Sequence, residues 1–413
     1  MWAANDMQPV LLAQLPLWQT ELGQLADWWR QVALDPRGGF YGEVGLDNQP
    51  VPGAPRGLIH TARIVYFFSR LARHTGDAQD AAAAEHAYAY LAQAFFDPHH
   101  GGYFWSLDAD GRKRDGRKHL YAQAFVLYGL SAYYQLTGRR QVLDEALSLF
   151  NQLETVAVDN AWGGYREGFS ETWQLIDDER LCERTPSAAK TMNTHLHLLE
   201  AYSALAATSG DAAVRASLTR LLGVFCAHIV DAASGHLRLF MDRAWRDCSQ
   251  QISFGHDIEA SWLLAQALAV AGDETLLQRY APLPQQLAEI SLNAACSPRG
   301  GIRNERHIHT GAYSEDRTWW AQAEAFIGYL HAWRRSGDGR FAQRALAIWR
   351  FIAAEHKDAQ LGEWFWFARQ DMSGPPDTYK SARNYKSGFW KCPYHNERAL
   401  IEACELVSDL MFK

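Results

Sequence analysis

The 413-residue chain is 48% hydrophobic and 21% charged, which supplies a sizeable core and excludes a disordered chain. Its 40 Lys and Arg against 47 Asp and Glu leave a net charge of −7 with no basic cluster, which argues against nucleic acid as a partner. The opening MWAANDMQPVLLAQLPLW lacks the basic start and long apolar stretch of a signal peptide, and no run approaches eighteen apolar residues; a soluble, cytoplasmic protein with no membrane partner is expected. The six cysteines, Cys182, Cys226, Cys248, Cys296, Cys392 and Cys404, are scattered without a C-x-x-C pair. That speaks against a zinc site or a disulfide framework and for a reducing compartment.

Along the chain two glycine series interleave. The first places a glycine before an aromatic or apolar residue, at Gly38, Gly101, Gly163, Gly235, Gly300 and Gly362, with gaps of 63, 62, 72, 65 and 62 residues. The second is a small-residue turn, often Gly-Asp, at Gly76, Gly138, Gly210, Gly272 and Gly337, with gaps of 62, 72, 62 and 65. Two series of nearly one period mean one structural unit repeated about six times.

Between the markers the pattern is helical. HTARIVYFFSRLARHTGD, LYAQAFVLYGLSAYYQLTG, TMNTHLHLLEAYSALAATSGD, HDIEASWLLAQALAVAGD and TWWAQAEAFIGYLHAWRRSGD carry apolar residues at three and four spacing and stop at a glycine suited to a C-cap. A second helix runs on from each such turn, as in GDGRFAQRALAIWRFIAAEH. Each unit is therefore a helical hairpin. The first and last units are as aromatic as the middle ones, so a closed ring is expected over an open stack. The predicted fold is all-α: an (α/α)6 barrel spanning residues 1–413 as one domain, with short β-like loops at the GGY segments on one rim.

Such a ring gathers a site where the inner helices begin, around the central cavity. Asn193, His197 and Glu200 fall on one helical stripe, as do His256 with Glu259 and Trp320 with Glu324. Arg63 stands near the start of the first inner helix, and WKCPYHNER brings Trp390, His395, Glu397 and Arg398 together at the start of the last. A lone histidine is more often structural than catalytic; three at equivalent helix starts shift that balance. Tryptophan faces beside titratable groups suit the C–H face of a sugar. No H-x-x-x-H or H-E-x-x-H pair is present and HLH sends its histidines to different faces, so no metal site is expected. The G-x-S-x-G elbow, the P-loop and a strand-linked G-x-G-x-x-G are missing as well.

The segments SFGHDIEASWLL, TMNTHLHLLEAY, DRTWWAQAEAF and WKCPYHNER resemble the signature segments of cellobiose 2-epimerases, within the larger N-acylglucosamine 2-epimerase superfamily. The similarity runs from DPRGGFYG to YHNERALIEACELV. The resemblance implies a cofactor-independent (α/α)6 barrel that inverts C2 of the reducing-end sugar in β-1,4-linked disaccharides, cellobiose to glucosyl-mannose and lactose to epilactose. It implies His256 and His395 as an acid–base pair on opposite faces of C2, His197 in ring opening, and Arg63 beside the developing oxyanion. Glu259 and Glu324 would orient histidines, Glu259 standing one turn from His256. Tyr121, Asn193, Trp320, Glu324 and Trp390 would hold the sugar.

The residue types support that chemistry independently. C2 inversion needs proton removal on one face of an enediolate and return on the other, and histidine titrates near neutral pH. The alternatives on the same motifs are a mannose 2-epimerase or an aldose–ketose isomerase acting on free monosaccharides. Less favoured are a glycoside hydrolase, which would rest on a carboxylate pair, and a non-catalytic sugar-binding protein. The segment 179–190 reads as a loop over the cavity, and the expected state is a monomer or weak homodimer.

Overall fold

The computed structural model describes residues 4–181, 186–372 and 385–412, so Cys182 and part of the 179–190 segment lie outside the described residues. The chain opens with α1 (Ala4–Leu12) and α2 (Leu15–Trp28). Helical hairpins follow: α3 (Leu58–Thr75) with α4 (Ala78–Tyr90), α5 (Leu120–Thr137) with α6 (Arg140–Val156), and α7 (Met192–Ser209) with α8 (Ala212–Val224). Next come α9 (Phe254–Ala271) with the broken partner α10 (Glu274–Tyr280) and α11 (Leu283–Ala294), then α12 (Trp319–Ser336) with α13 (Gly339–Glu355). The last helix is α14 (His395–Ser408).

The glycine turns set these lengths. Helices α3, α5, α7, α9 and α12 are each 18 residues long and stop at Gly76, Gly138, Gly210, Gly272 and Gly337. Each of these glycines has a φ between +63° and +71° and donates its N–H to the carbonyl four residues back. A side chain in that left-handed conformation costs about 1–2 kcal/mol, which glycine avoids. Asp77, Asp211, Asp273 and Asp338 then cap the following helix through a side-chain oxygen. A Gly-Asp pair is thus a helix stop followed at once by a helix start.

The ring closes. Helix α3 packs on α5, α5 on α7, α7 on α9, α9 on α12, α12 on α14, and α14 returns to α3. Each following helix covers the outside of its own partner, which yields the expected (α/α)6 barrel. Six consecutive hairpins were expected, but the sixth pair is made from the two ends of the chain: α2 packs against α14. The same seam is stitched by an antiparallel pairing of Val44–Gly45 with Tyr385–Ser387. One apolar cluster runs through the ring from Met7 to Leu410.

The other glycine series builds the rim. Antiparallel bridges Leu34↔Phe40, Phe96↔Tyr103, Val158↔Tyr165, Val230↔Leu237, Cys296↔Ile302 and Lys357↔Trp364 straddle the six turns, so the expected β-like loops are present. At Gly102 a Cβ would lie 2.5 Å from the Trp173 ring, and at Gly164 it would lie 2.5 Å from the Trp245 ring. The second glycine of these turns makes room for an aromatic. Residues Ala212–Ile229, α8 and its continuation, reach a mean hydropathy of 1.3 over 18 residues, the length and composition of a membrane span. That helix carries Arg215 and Arg220 and lays its buried side on α7 and α9.

Candidate active site

The inner helices all start at the rim of the ring, and their first turns line its axis in layers. Tyr121, Asn193 and Trp320 are the second residues of α5, α7 and α12, and His256 is the third of α9. One turn deeper, the sixth residues of α3, α5, α7, α9 and α12 are Arg63, Phe125, His197, Glu259 and Glu324. Equal helix lengths put chemically different side chains at equal depth. Helix α14 closes the circle with His395 at its first residue and Arg398 at its fourth.

The result is a cavity of about 280 Å³, lined by Arg63, Tyr121, Asn193, His197, His256 and Glu259 together with Trp320, Trp390 and His395. Leu181, Trp319 and Trp366 complete the wall. A larger groove of about 540 Å³ lies on the outer ring between the rim turn at residues 101–103 and α6, among Gln141, Asp144, Glu145 and Gln152. Volume does not decide between them; the convergence of three histidines, an arginine and four tryptophans on one cavity does.

Each of the three histidines has its Nδ1 engaged. In His256 it meets Ser253 Oγ at 2.7 Å, in His197 Glu200 Oε2 at 3.0 Å, and in His395 Glu324 Oε1 at 2.7 Å. The Nε2 atoms are thereby left for chemistry in the cavity. The Trp320 ring touches two of them, 4.7 Å from the His256 ring and 5.6 Å from that of His395. Burial drives His256 down to about 3. Burial, then Arg63 and Arg398, hold His395 well below the usual imidazole range. His197 is lowered by burial against the pull of Glu200. All three are therefore neutral at neutral pH.

Arg63 is the complementary element. Its Nη2 donates to the Tyr121 hydroxyl at 2.9 Å and its Nη1 to Cys392 Sγ at 3.9 Å. The guanidinium lies 4.0 Å from the centre of the Phe125 ring and 4.4 Å from that of Tyr394. Among the described residues no carboxylate lies within ion-pair reach of it, and its Nε has no partner. A buried cation without a counter-ion is an acceptor site for negative charge that develops in a ligand. Among the described residues Asn193 likewise leaves its side-chain oxygen without a partner.

Three expectations are corrected. Glu259 does not orient His256: its Oε1 takes Arg398 Nη2 at 3.1 Å and lies 4.0 Å from His395 Nδ1, while Ser253 holds His256. Glu324 does not line the cavity; it is fully buried behind His395 and also accepts from Trp262 Nε1 and Arg398. Its expected histidine-orienting role fits this geometry, whereas its place among the sugar-binding groups does not. Glu397, grouped with the site by spacing, faces the other way, toward Trp29, Glu363 and Lys391. In SFGHDIE, Asp257 is structural, accepting from His236 and from the Leu237 N–H. His195 is structural too, between Thr191 and Tyr165.

Trp319 and Trp366, whose ring centres are 4.4 Å apart, were not singled out by sequence. Trp366 lies outside all four motifs; only its tryptophan-rich setting, GEWFW, hinted at it. In the 179–190 segment, Glu179 is pinned to Arg166 and the Glu167 N–H, and Leu181 reaches the cavity. The donor atoms of Glu259, Glu324 and His395 lie within 4.8 Å of one another, a spacing that could hold a metal. Arg398 Nη2 donates to both carboxylates, so a guanidinium already fills the place of a cation.

The family model for N-acylglucosamine 2-epimerase (GlcNAc 2-epimerase) matches residues 39–387. The chain belongs to the N-acylglucosamine 2-epimerase family. Within that family, the cellobiose 2-epimerase of Bacteroides fragilis is 38% identical over 375 residues, 91% of this chain and 94% of that protein. The solved cellobiose 2-epimerase of Bacillus thermoamylovorans B4167 superposes with a TM-score of 0.88 at 32% identity, covering 95% of this chain and 99% of that one. A solved D-mannose isomerase at 22% identity, with a TM-score of 0.81 over 94% of this chain and 97% of that one, shares the fold. The relationship expected from the four motifs is borne out, and the N-acylglucosamine 2-epimerase family membership agrees with the closed ring.

Proposed function

We propose that this protein epimerises C2 of the reducing-end sugar of a β-1,4-linked disaccharide, converting cellobiose to glucosyl-mannose and lactose to epilactose, without a cofactor. The observation that carries the reading is the placing of His256 and His395 around Trp320 in one cavity, each with Nδ1 engaged, beside an arginine with no counter-ion among the described residues. The disaccharide epimerases among its relatives support the substrate class.

In the mechanism the sugar lies with a C–H face on Trp320 and its second ring toward Trp390, while Asn193 and Tyr121 take hydroxyls. His197, oriented by Glu200, moves the O1 proton toward the ring oxygen and opens the hemiacetal. One neutral imidazole of the pair His256 and His395 removes the C2 proton. The electron pair moves into a C1–C2 enediolate, whose oxygen charge falls on Arg63. The other histidine, whose Nε2 has first taken a proton from solvent, delivers it to the opposite face of C2, the base releases the abstracted proton to solvent, and ring closure completes the cycle. One proton leaves C2 and one arrives, so the step balances without oxidant or reductant.

The deciding experiment is incubation of the protein with cellobiose in D2O containing EDTA, followed by NMR of the reducing-end sugar. Glucosyl-mannose carrying deuterium at C2 is expected, and His395→Asn abolishes it while sugar binding persists. Free glucose would mean hydrolysis and a ketose an isomerase. Reaction of free mannose or glucose with cellobiose and lactose untouched would overturn the substrate assignment.

A further inference from the structure

Arg398, 1% exposed, lies beneath the histidines, and its hydrogen bonds go to their carboxylate partners and to Tyr394. Its Nη1 donates to Glu200 and to the Tyr394 hydroxyl. Its Nη2 donates to Glu324 Oε1 at 2.6 Å and to Glu259 Oε1 at 3.1 Å. Glu200 is the carboxylate behind His197, and Glu324 the carboxylate behind His395. One guanidinium on α14 therefore binds the partners of two histidines that project from α7 and from α14 itself. Three carboxylates, Glu200, Glu259 and Glu324, would otherwise face one another in a dry core, where like charges cannot all persist. A forked donor suits this place because it reaches several carboxylate oxygens in fixed directions, which an ammonium does not.

We propose that Arg398 is a positioning residue that keeps Glu200 and Glu324 charged and aimed, so that His197 and His395 work as one coupled unit. The inference rests on the roles proposed above for those two histidines. Burial already holds the Glu259 carboxyl well above the usual range, so losing the arginine would drive Glu324 further the same way, and both imidazoles would lose their fixed orientation. The sugar would still find Trp320, Trp390 and Asn193 in place, so the loss falls on kcat and spares binding.

The far end of the barrel axis supplies a way to test this. Beyond Arg398 the ring opens into a second chamber of about 330 Å³, where Glu200 is reached between Tyr66, Tyr128 and Ser203. A small cation entering there meets a carboxylate that Arg398 holds without passing the sugar cavity.

Arg398→Ala and Arg398→Lys are to be assayed on the sugar that the unaltered protein turns over. Sugar affinity is read from tryptophan fluorescence, and folding from circular dichroism and the melting curve. For Arg398→Ala the expected result is a fall in kcat of about 100-fold with KM within about threefold, the scale of a misplaced catalytic group. Guanidinium chloride below denaturing concentration restores part of kcat, and ammonium chloride at the same ionic strength does not. Arg398→Lys remains at least about tenfold down.

Should Arg398→Ala fail to fold, Arg398→Lys is combined with Glu324→Gln. The double variant then loses little beyond the worse single one, because both act through His395. Wild-type kcat in Arg398→Lys, absence of guanidinium rescue in folded Arg398→Ala, a loss confined to KM, or full additivity overturns the inference. Turnover surviving both His395→Asn and His197→Asn would instead overturn the functional reading. Loss of turnover in those two variants with wild-type turnover in Arg398→Lys removes only the role given to Arg398.

Discussion

Gly255 shows how a residue can be required without any unusual backbone angle. A Cβ there would stand 2.6 Å from Cη2 of Trp320, the ring that touches both His256 and His395. Gly255→Ala therefore displaces a functional indole. The expected outcome is a fall in kcat/KM of about tenfold or more, with a loss of stability of about 1–3 kcal/mol typical of overpacking. Steady-state kinetics beside a melting curve checks it, and an unchanged kcat/KM would contradict it. At this scale the histidines were legible, because His197, His256 and His395 recur at equivalent helix starts. Their partners were less so. Glu259 looks like the companion of His256 one turn away, yet its hydrogen-bond partner is Arg398, 139 residues along the chain. Helical spacing says which residues share a face and nothing about which neighbour arrives from another helix.

Helices are where the sequence spoke most plainly. The glycine at the end of each inner helix and the aspartate after it specify stop and start by local physics, and the apolar spacing fills in between. Gly272→Ala, at φ +63° with open space around its Cβ position, is expected to destabilise by about 1–2 kcal/mol through backbone strain alone. Gly23→Ala, exposed inside α2 with nothing within 4 Å, is expected to stabilise by about 0.5–1 kcal/mol. Denaturant unfolding of the pair tests the contrast, and a shift of the same sign in both would refute it. The break of the fourth outer helix at Pro282 and Pro284 was written in the sequence as well. It was missed because the repeat promised a single helix there.

The whole molecule adds a pH response. His60, 1% exposed and bonded to Ser387, is lowered to about 3 by burial and then by Arg56 and Arg63. His356, fully buried and bonded to the Phe365 carbonyl, is lowered to about 4, again chiefly by burial. Unfolded, each titrates near 6.5, so between about 6.5 and 4 the unfolded chain binds more protons than the native one. Stability is therefore lost as pH falls through that window, by about 1.4 kcal/mol per pH unit for each such group. Glu200, which Arg398, His197 and Tyr394 bring down to about 2 against burial, adds a further loss below about 4.5. Melting temperature measured from pH 7 to 4 is expected to drop steeply below 6; a flat profile would contradict the burial of these imidazoles.

By itself the sequence determined the repeat number, the helix ends, the rim turns and the titratable side chains that stand at the start of the inner helices. These follow from spacing, glycine backbone freedom and capping, all of which act within a few residues. Only the tertiary structure decided that the sixth helix pair joins the two chain ends, that Glu324 lies behind His395, that Glu259 belongs to Arg398, and that Trp319 and Trp366 form a wall. Those outcomes depend on which side chains meet across the axis of a closed ring, and the distances involved are set by packing rather than by separation along the chain.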